Sequence, residues 1–120
     1  MQINGLKADN FEIKVINQNN QIKIQWFGRS EARNPAELLN PYFENMLSKL
    51  KDKQVAIDYT ELEFMNSSTV PPIIKFIKSC SQSASSIVVN YNMNLEWQTA
   101  SFKPIQTVCL VLKNVTVAGI

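Results

Sequence analysis

A chain of 120 residues with 45% hydrophobic residues has the size of one domain and can bury one core, with room for little else. Its 12 basic and 10 acidic residues are scattered along the chain and leave a net charge of +2, so the concentrated basic field that nucleic acid demands is missing and no nucleic-acid partner is expected. Histidine is absent, the only cysteines are Cys80 and Cys109, and the three glycines, Gly5, Gly28 and Gly119, form no phosphate loop; neither catalysis, a cofactor nor a metal site is expected.

The start, Met1, Gln2, Ile3, Asn4, Gly5, reads as neither a signal nor a transit peptide. No apolar stretch approaches the ~20 residues that cross a bilayer, which predicts a cytoplasmic protein without a membrane span. Residues 11–16 alternate apolar and polar side chains as a half-buried strand does, residues 17–20 supply a polar turn, and residues 21–27 resume the alternation. Two strands so closely joined predict an antiparallel hairpin. Residues 28–33 read as a loop, in which Arg29 and Arg33 are either solvated charges or contacts for an acidic partner or a phosphate.

Two helix starts then compete, Asn34-Pro35 and Asn40-Pro41, each with an acid in the first turn. Because a proline breaks a helix interior, the pattern predicts a short turn from Pro35 and a main helix from Pro41 to about Lys51, burying Phe43, Met46, Leu47 and Leu50. A β-branched run, Val55 to Tyr59, follows as a strand. Asp58, Glu61 and Glu63 near its end could bind a cation or act as an acid/base pair, but the spacing favours a solvated edge.

The chain is organised around what comes next. After a polar turn, Ser67, Ser68 and Thr69 precede Val70-Pro71-Pro72, and Ile73, Ile74, Ile77, Cys80 and Ala84 recur at helical spacing. Prolines are tolerated only in a first turn, which places the N-cap near Ser68 or Thr69. The hydroxyls of Ser67 and Ser68 then lie near the positive end of the helix dipole and its unpaired N–H groups, where a phosphate would be well received. A Ser-Ser-Thr run is also the ordinary N-cap composition, so the same residues serve equally as structural caps.

A serine-rich stretch closes this helix before the strand Ile87 to Tyr91, completing a βαβ unit with parallel strands. Residues 92–103 fit either a short helix or an irregular segment ended by Pro104, with Trp97 and Phe102 either in the core or on a partner surface. Residues 107–112 read as a strand, so Cys109, like Cys80, falls on a core position and packs as a small hydrophobe. The fold class is α/β: a mixed sheet with an N-terminal hairpin, a central βαβ unit and helices packed on it.

The segment from Ala56 to Ala84, with Leu62-Glu63-Phe64-Met65-Asn66-Ser67-Ser68 at its centre, resembles the signature of STAS domains of the anti-sigma factor antagonist type. In that family a Phe-Met-Asp-Ser-Ser-Gly-Leu motif carries a regulatory serine, which by this match is Ser67. Asn66 stands where the family has Asp, and Thr69 where it has Gly. The Asn-Ser-Ser form, together with Gly28-Arg29-Ser30 and Asn34-Pro35-Ala36-Glu37, is more similar to the Sia-type regulatory phosphoproteins. The resemblance covers most of residues 21–91 and implies one STAS-like domain over residues 1–120. It further implies a phosphorylation site at Ser67 and partner contacts at Asn66, Ser68, Thr69 and Arg29. The partners implied are a serine kinase, a PP2C-like phosphatase, and either an anti-sigma factor or a diguanylate cyclase.

Overall fold

The computed structural model describes residues 3–120; Met1 and Gln2, part of the start read above, lie outside them. Seven strands form one mixed sheet: β1 (Leu6–Lys7), β2 (Phe11–Gln18), β3 (Gln21–Ser30), β4 (Gln54–Asp58), β5 (Leu62–Met65), β6 (Ser86–Tyr91) and β7 (Val115–Gly119). Three helices cover it: α1 (Pro35–Leu47), α2 (Val70–Ser81) and α3 (Glu96–Cys109). The order across the sheet is β1-β2-β3-β4-β6-β7, with β5 beside the end of β3. The expected hairpin is β2–β3, antiparallel from Phe11↔Gly28 to Gln18↔Gln21, and the expected βαβ unit is β4-α2-β6 with parallel strands.

Strand β3 is the longest, and it carries two parallel neighbours in succession on one side. Its first half pairs with β4 and its last three residues with β5. The segment read as a loop at residues 28–33 is therefore strand through Ser30. Gly28 makes this possible: its φ of +86° and a register shift between Gly28 and Arg29 form a bulge, and a Cβ there would collide with the Asn10 carbonyl.

Alternation along the strands leaves one face apolar. Ile13, Ile24, Trp26, Ile57, Tyr59, Val89 and Val117 point to the helices, while Lys14, Ile16, Lys23, Val88 and Thr116 are exposed on the other face. Phe43 of α1 stacks on Phe76 of α2 at 4.2 Å between ring centroids and lies 6.2 Å from Trp26. Phe102 of α3 sits 4.8 Å from Tyr59. All three helices thus share one core.

Two helices differ from expectation. Helix α1 runs unbroken from Pro35 with Pro41 inside it, and a single 3-10 turn (Ser48–Leu50) extends it. Its buried stripe of Pro35, Leu39, Phe43 and Met46 holds the helix to the sheet on both sides of the proline. Pro41 is exposed, so the carbonyl it leaves unbonded faces water. Likewise α3 passes through the exposed Pro104 and takes in residues 107–109 of the segment read as a strand, whose remainder is turn and loop; Cys109 ends a helix, and the last strand begins at Val115. The spacing of Gln98, Phe102, Ile105 and Cys109 gives the helical stripe that the β-branched composition of residues 107–112 concealed.

Both cysteines are buried and free. Burial pushes the Cys80 thiol up to about 12, and raises that of Cys109 against the opposing pull of Lys78, so both stay protonated and serve as packing.

Candidate functional site

The polypeptide leaves β4 through a tight turn. Asp58 Oδ1 accepts hydrogen bonds from the Thr60 amide at 2.9 Å and the Thr60 hydroxyl at 2.7 Å, and Asp58 Oδ2 lies 3.9 Å from Lys23 Nζ. Asp58 is thereby committed to holding the turn. Among the described residues no group of three or more His, Cys, Asp or Glu is placed to hold a metal ion. The chain then continues as β5, which aims the next four residues, Asn66 to Thr69, at the start of α2.

This turn is braced from beneath by β3. The Asn66 amide donates to the Ser30 carbonyl at 2.9 Å, and Asn66 Nδ2 donates to the Ala32 carbonyl at 2.8 Å. The Thr69 hydroxyl donates to Asn66 Oδ1 at 2.7 Å, so the 2.8 Å contact between the Ser30 and Thr69 hydroxyls must be donated by Ser30. The Thr69 amide closes the turn on the Asn66 carbonyl at 3.1 Å. Each polar group of this buried network has a partner, a condition under which such networks fix one geometry.

The side chains expected at the site divide into two sets. Ser67 and Ser68 are exposed, while Thr69 and Ser30 are 0% and 1% exposed. The expected partner contact at Thr69 is corrected accordingly: its hydroxyl lies inside the fold, consumed by Ser30 and Asn66, and braces the turn without reaching the surface. The expected capping is corrected in part: the N-cap of α2 is Thr69, within the expected Ser68 or Thr69, but the side chains of Ser67 and Ser68 cap nothing. Asn66 and Thr69 occupy the N-cap positions of the 3-10 turn (Ser67–Thr69) and of α2, and neither helix start has a side-chain cap bond.

A third correction concerns anion binding. Pro71 and Pro72 have no N–H, the Val70 amide bonds the Ser67 carbonyl, and the Thr69 amide bonds Asn66. These donors of the α2 start are missing or taken, while the amides of Ser67 and Ser68, one turn earlier, have no partner among the described residues.

Arg29 pairs in register with Phe64, one residue before Ser30. By alternation its side chain lies on the helix-free face, where the guanidinium sits 4.8 Å from the Phe64 ring centroid and Nε donates to Glu31 at 3.3 Å. The side chain remains about half exposed. Trp97, half-buried, meets Phe64 at 6.4 Å, whereas Phe102 is wholly in the core.

Two supporting roles were not legible in the sequence, that of Ser30, named there only within the Gly28-Arg29-Ser30 resemblance, and that of Gln98. Ser30 was hidden by the bulge, which disguises two more residues of strand. Gln98, fully buried, donates from Nε2 to the carbonyls of Tyr59 and Leu62 at 2.7 and 2.9 Å and accepts from the Asn92 amide at 2.7 Å, tying α3 to the start of β5. Only its place in the Phe102, Ile105, Cys109 stripe marks it.

Asn66 uses both halves of its amide, one to donate and one to accept. A carboxylate can only accept, so Asn66→Asp places a negative oxygen against the Ala32 carbonyl. The expected cost is about 1–2 kcal/mol at neutral pH, read as a lower urea midpoint, with partial recovery as acid protonates the new carboxyl. An unchanged midpoint would show that the Nδ2 bond contributes nothing.

No family model matches the chain, and no curated protein matches it. Solved structures do. An anti-sigma factor antagonist from Mycobacterium paratuberculosis superposes with a TM-score of 0.64 and 13% identity over 85% of this chain and 86% of that one. The complex of diguanylate cyclase SiaD with its activator SiaC from Pseudomonas aeruginosa gives a TM-score of 0.59 and 14% identity over 95% of each chain. An uncharacterized protein of the DUF3478 family with a SpoIIAA-like fold, from Shewanella loihica, gives 0.56 and 12% over 96% and 90%. The mixed sheet with its three helices is thus the STAS, SpoIIAA-like fold, shared with an anti-sigma factor antagonist and with SiaC.

Proposed function

We propose that this chain is a non-enzymatic partner-switching regulator, acting as a single STAS-like domain in the cytoplasm and controlled by reversible phosphorylation of Ser67. A serine kinase adds the phosphoryl group and a PP2C-like phosphatase removes it. The docking surface is the turn itself, with Asn66, Ser67 and Ser68 at its centre and Arg29 at its margin. Thr69 acts from inside as a brace. The downstream target is either a diguanylate cyclase, by analogy with SiaC as the activator of SiaD, or an anti-sigma factor, by analogy with the antagonist of shared fold.

The observation that carries this reading is the contrast within three consecutive residues. Ser67 and Ser68 offer exposed hydroxyls on a turn whose next residue, Thr69, is buried and fully bonded. A rigid support under a free hydroxyl suits a modifying enzyme, which needs the acceptor held still and open. The alternative, a constitutive scaffold in which Ser67 and Ser68 only cap a helix, is disfavoured because Asn66 and Thr69 occupy the cap positions.

The test is direct. Full-length chain incubated with ATP and source-cell lysate is expected to gain the mass of one phosphate, which persists in Ser68→Ala and vanishes in Ser67→Ala. Failure of the unaltered chain to gain it, or its retention in Ser67→Ala, would remove the assignment.

A further inference from the structure

Among the described residues the sheet ends on one side at β1, two residues long, and on the other at β7, which pairs with β6 alone. Exposed edges in soluble proteins are ordinarily guarded by charge, proline or a bulge. Strand β7, Val115-Thr116-Val117-Ala118-Gly119, has none of these, and its register with β6 is regular throughout.

Two hydrogen bonds fix which way its backbone faces. The Ile87 amide donates to the Asn114 carbonyl at 2.8 Å and the Ile120 amide to the Tyr91 carbonyl at 2.9 Å, so even-numbered residues face β6. Val115, Val117 and Gly119 therefore turn their backbone groups outward. Two of these groups are engaged: the Val115 amide with the Leu112 carbonyl at 3.3 Å, and one lone pair of the Val117 carbonyl with Gln106 Nε2 at 3.2 Å. The Val115 carbonyl, the Val117 amide and both groups of Gly119 have no partner among the described residues.

This pattern is complementary to itself when reversed. With Val117 of one copy opposite Val117 of another, each Val117 amide meets the second lone pair of the opposing Val117 carbonyl. Each Gly119 amide meets an opposing Val115 carbonyl, and no existing bond has to break. We propose that β7 pairs antiparallel with β7 of a second copy about a two-fold axis at Val117, joining two sheets edge to edge. A contact built on so short a strand falls below the ~1,200 Å² of a standard interface, so the dimer is weak, with a dissociation constant on the order of 10–100 µM.

The consequence concerns valency. Strands β4 and β6 lie between β7 and β3, whose far end braces the Ser67 turn, so the pairing leaves both turns at the outer flanks of the dimer. A partner that is itself dimeric would then be held at two points. The pairing does not depend on phosphorylation, and its test reads assembly alone.

The register supplies that test. In this arrangement Thr116 of each copy faces Ala118 of the other across a non-hydrogen-bonded pair on the helix-free face, so substitutions at both positions leave the core untouched. Sedimentation velocity of the full chain from ~10 to ~500 µM is expected to show a monomer–dimer equilibrium for the unaltered protein. Thr116→Lys with Ala118→Lys sets like charges opposite each other twice and is expected to weaken the dimer about ten-fold or more. Thr116→Lys with Ala118→Glu sets opposite charges there and is expected to restore it. A chain that stays monomeric at every concentration, an assembly larger than a dimer, or two double variants that behave alike would overturn the proposal.

Discussion

Gln98→Leu is expected to lose about 3 kcal/mol of stability, from two backbone groups left unpaired and a third left with one partner. The replacement has nearly the volume of the original and opens no cavity, so the loss is one of hydrogen bonding. Gln98 is 0% exposed and serves three backbone groups at once, the carbonyls of Tyr59 and Leu62 and the amide of Asn92. Leucine leaves the Leu62 carbonyl and the Asn92 amide without a partner and the Tyr59 carbonyl with one instead of two, and each buried group left unpaired costs ~1–3 kcal/mol. The Tyr59 carbonyl is shared, since it also accepts from the Leu62 amide at 3.0 Å; removing Gln98 loosens both ends of that turn. Urea unfolding gives the loss from the midpoint with an unchanged slope, and a shift worth less than ~1 kcal/mol would show that water or rearrangement repairs the site. The turn between β4 and β5 aims Asn66 at β3, so the variant is also expected to loosen the Ser67 turn well before global unfolding, seen as faster amide exchange at residues 66–69.

What sequence could and could not reveal follows from which physical signal each element carries. Helix α2 was legible because Ile73, Ile77 and Cys80 repeat at helical spacing and two prolines can stand only at a helix start. The β2–β3 hairpin was legible because alternation is strict on both sides of a polar turn. Helices α1 and α3 share one reason for departing from expectation, to which the β-branched composition of residues 107–112 adds a second in α3. Pro41 and Pro104 break a helix in isolation, but here each sits on the solvent side of a stripe already anchored before and after it, so packing outweighs one lost hydrogen bond.

At the candidate site the motif located the turn but not its chemistry. Ser67, Ser68 and Thr69 look equivalent as letters, and only the approach of Ser30 from a strand prolonged past the Gly28 bulge decides that the third hydroxyl is internal. The substitution of Asn for Asp at position 66 likewise acquires a reason only when the Ala32 carbonyl is found opposite its Nδ2.

Ser67→Asp is expected to leave the fold unchanged while weakening partner binding roughly 100-fold, about 2.7 kcal/mol, whereas Ser67→Ala binds as the unaltered chain does. The two halves of this prediction come from the same geometry. An anion at position 67 finds no buried cradle, because the Thr69 and Val70 amides are engaged, Pro71 and Pro72 have none to offer, and the open amides of Ser67 and Ser68 belong to exposed residues. The charge stays solvated, neither drawing the turn into a new shape nor straining it, and stability should shift by no more than ~0.5 kcal/mol. In a complex the same lack of donors becomes decisive. A partner packed over the exposed Ser67 must strip water from the charge with no cation and at most the Ser67 and Ser68 amides of the turn to replace it, a cost that phosphate, at about −1.5 to −2, raises further than aspartate does. Thermal unfolding and calorimetry against the partner retained by the unaltered chain separate the two halves. A large rise in melting temperature in Ser67→Asp would mean the turn does hold an anion, turning the mechanism into a conformational one. Equal affinities for Ser67→Asp and Ser67→Ala would mean that the docking surface lies elsewhere on the molecule.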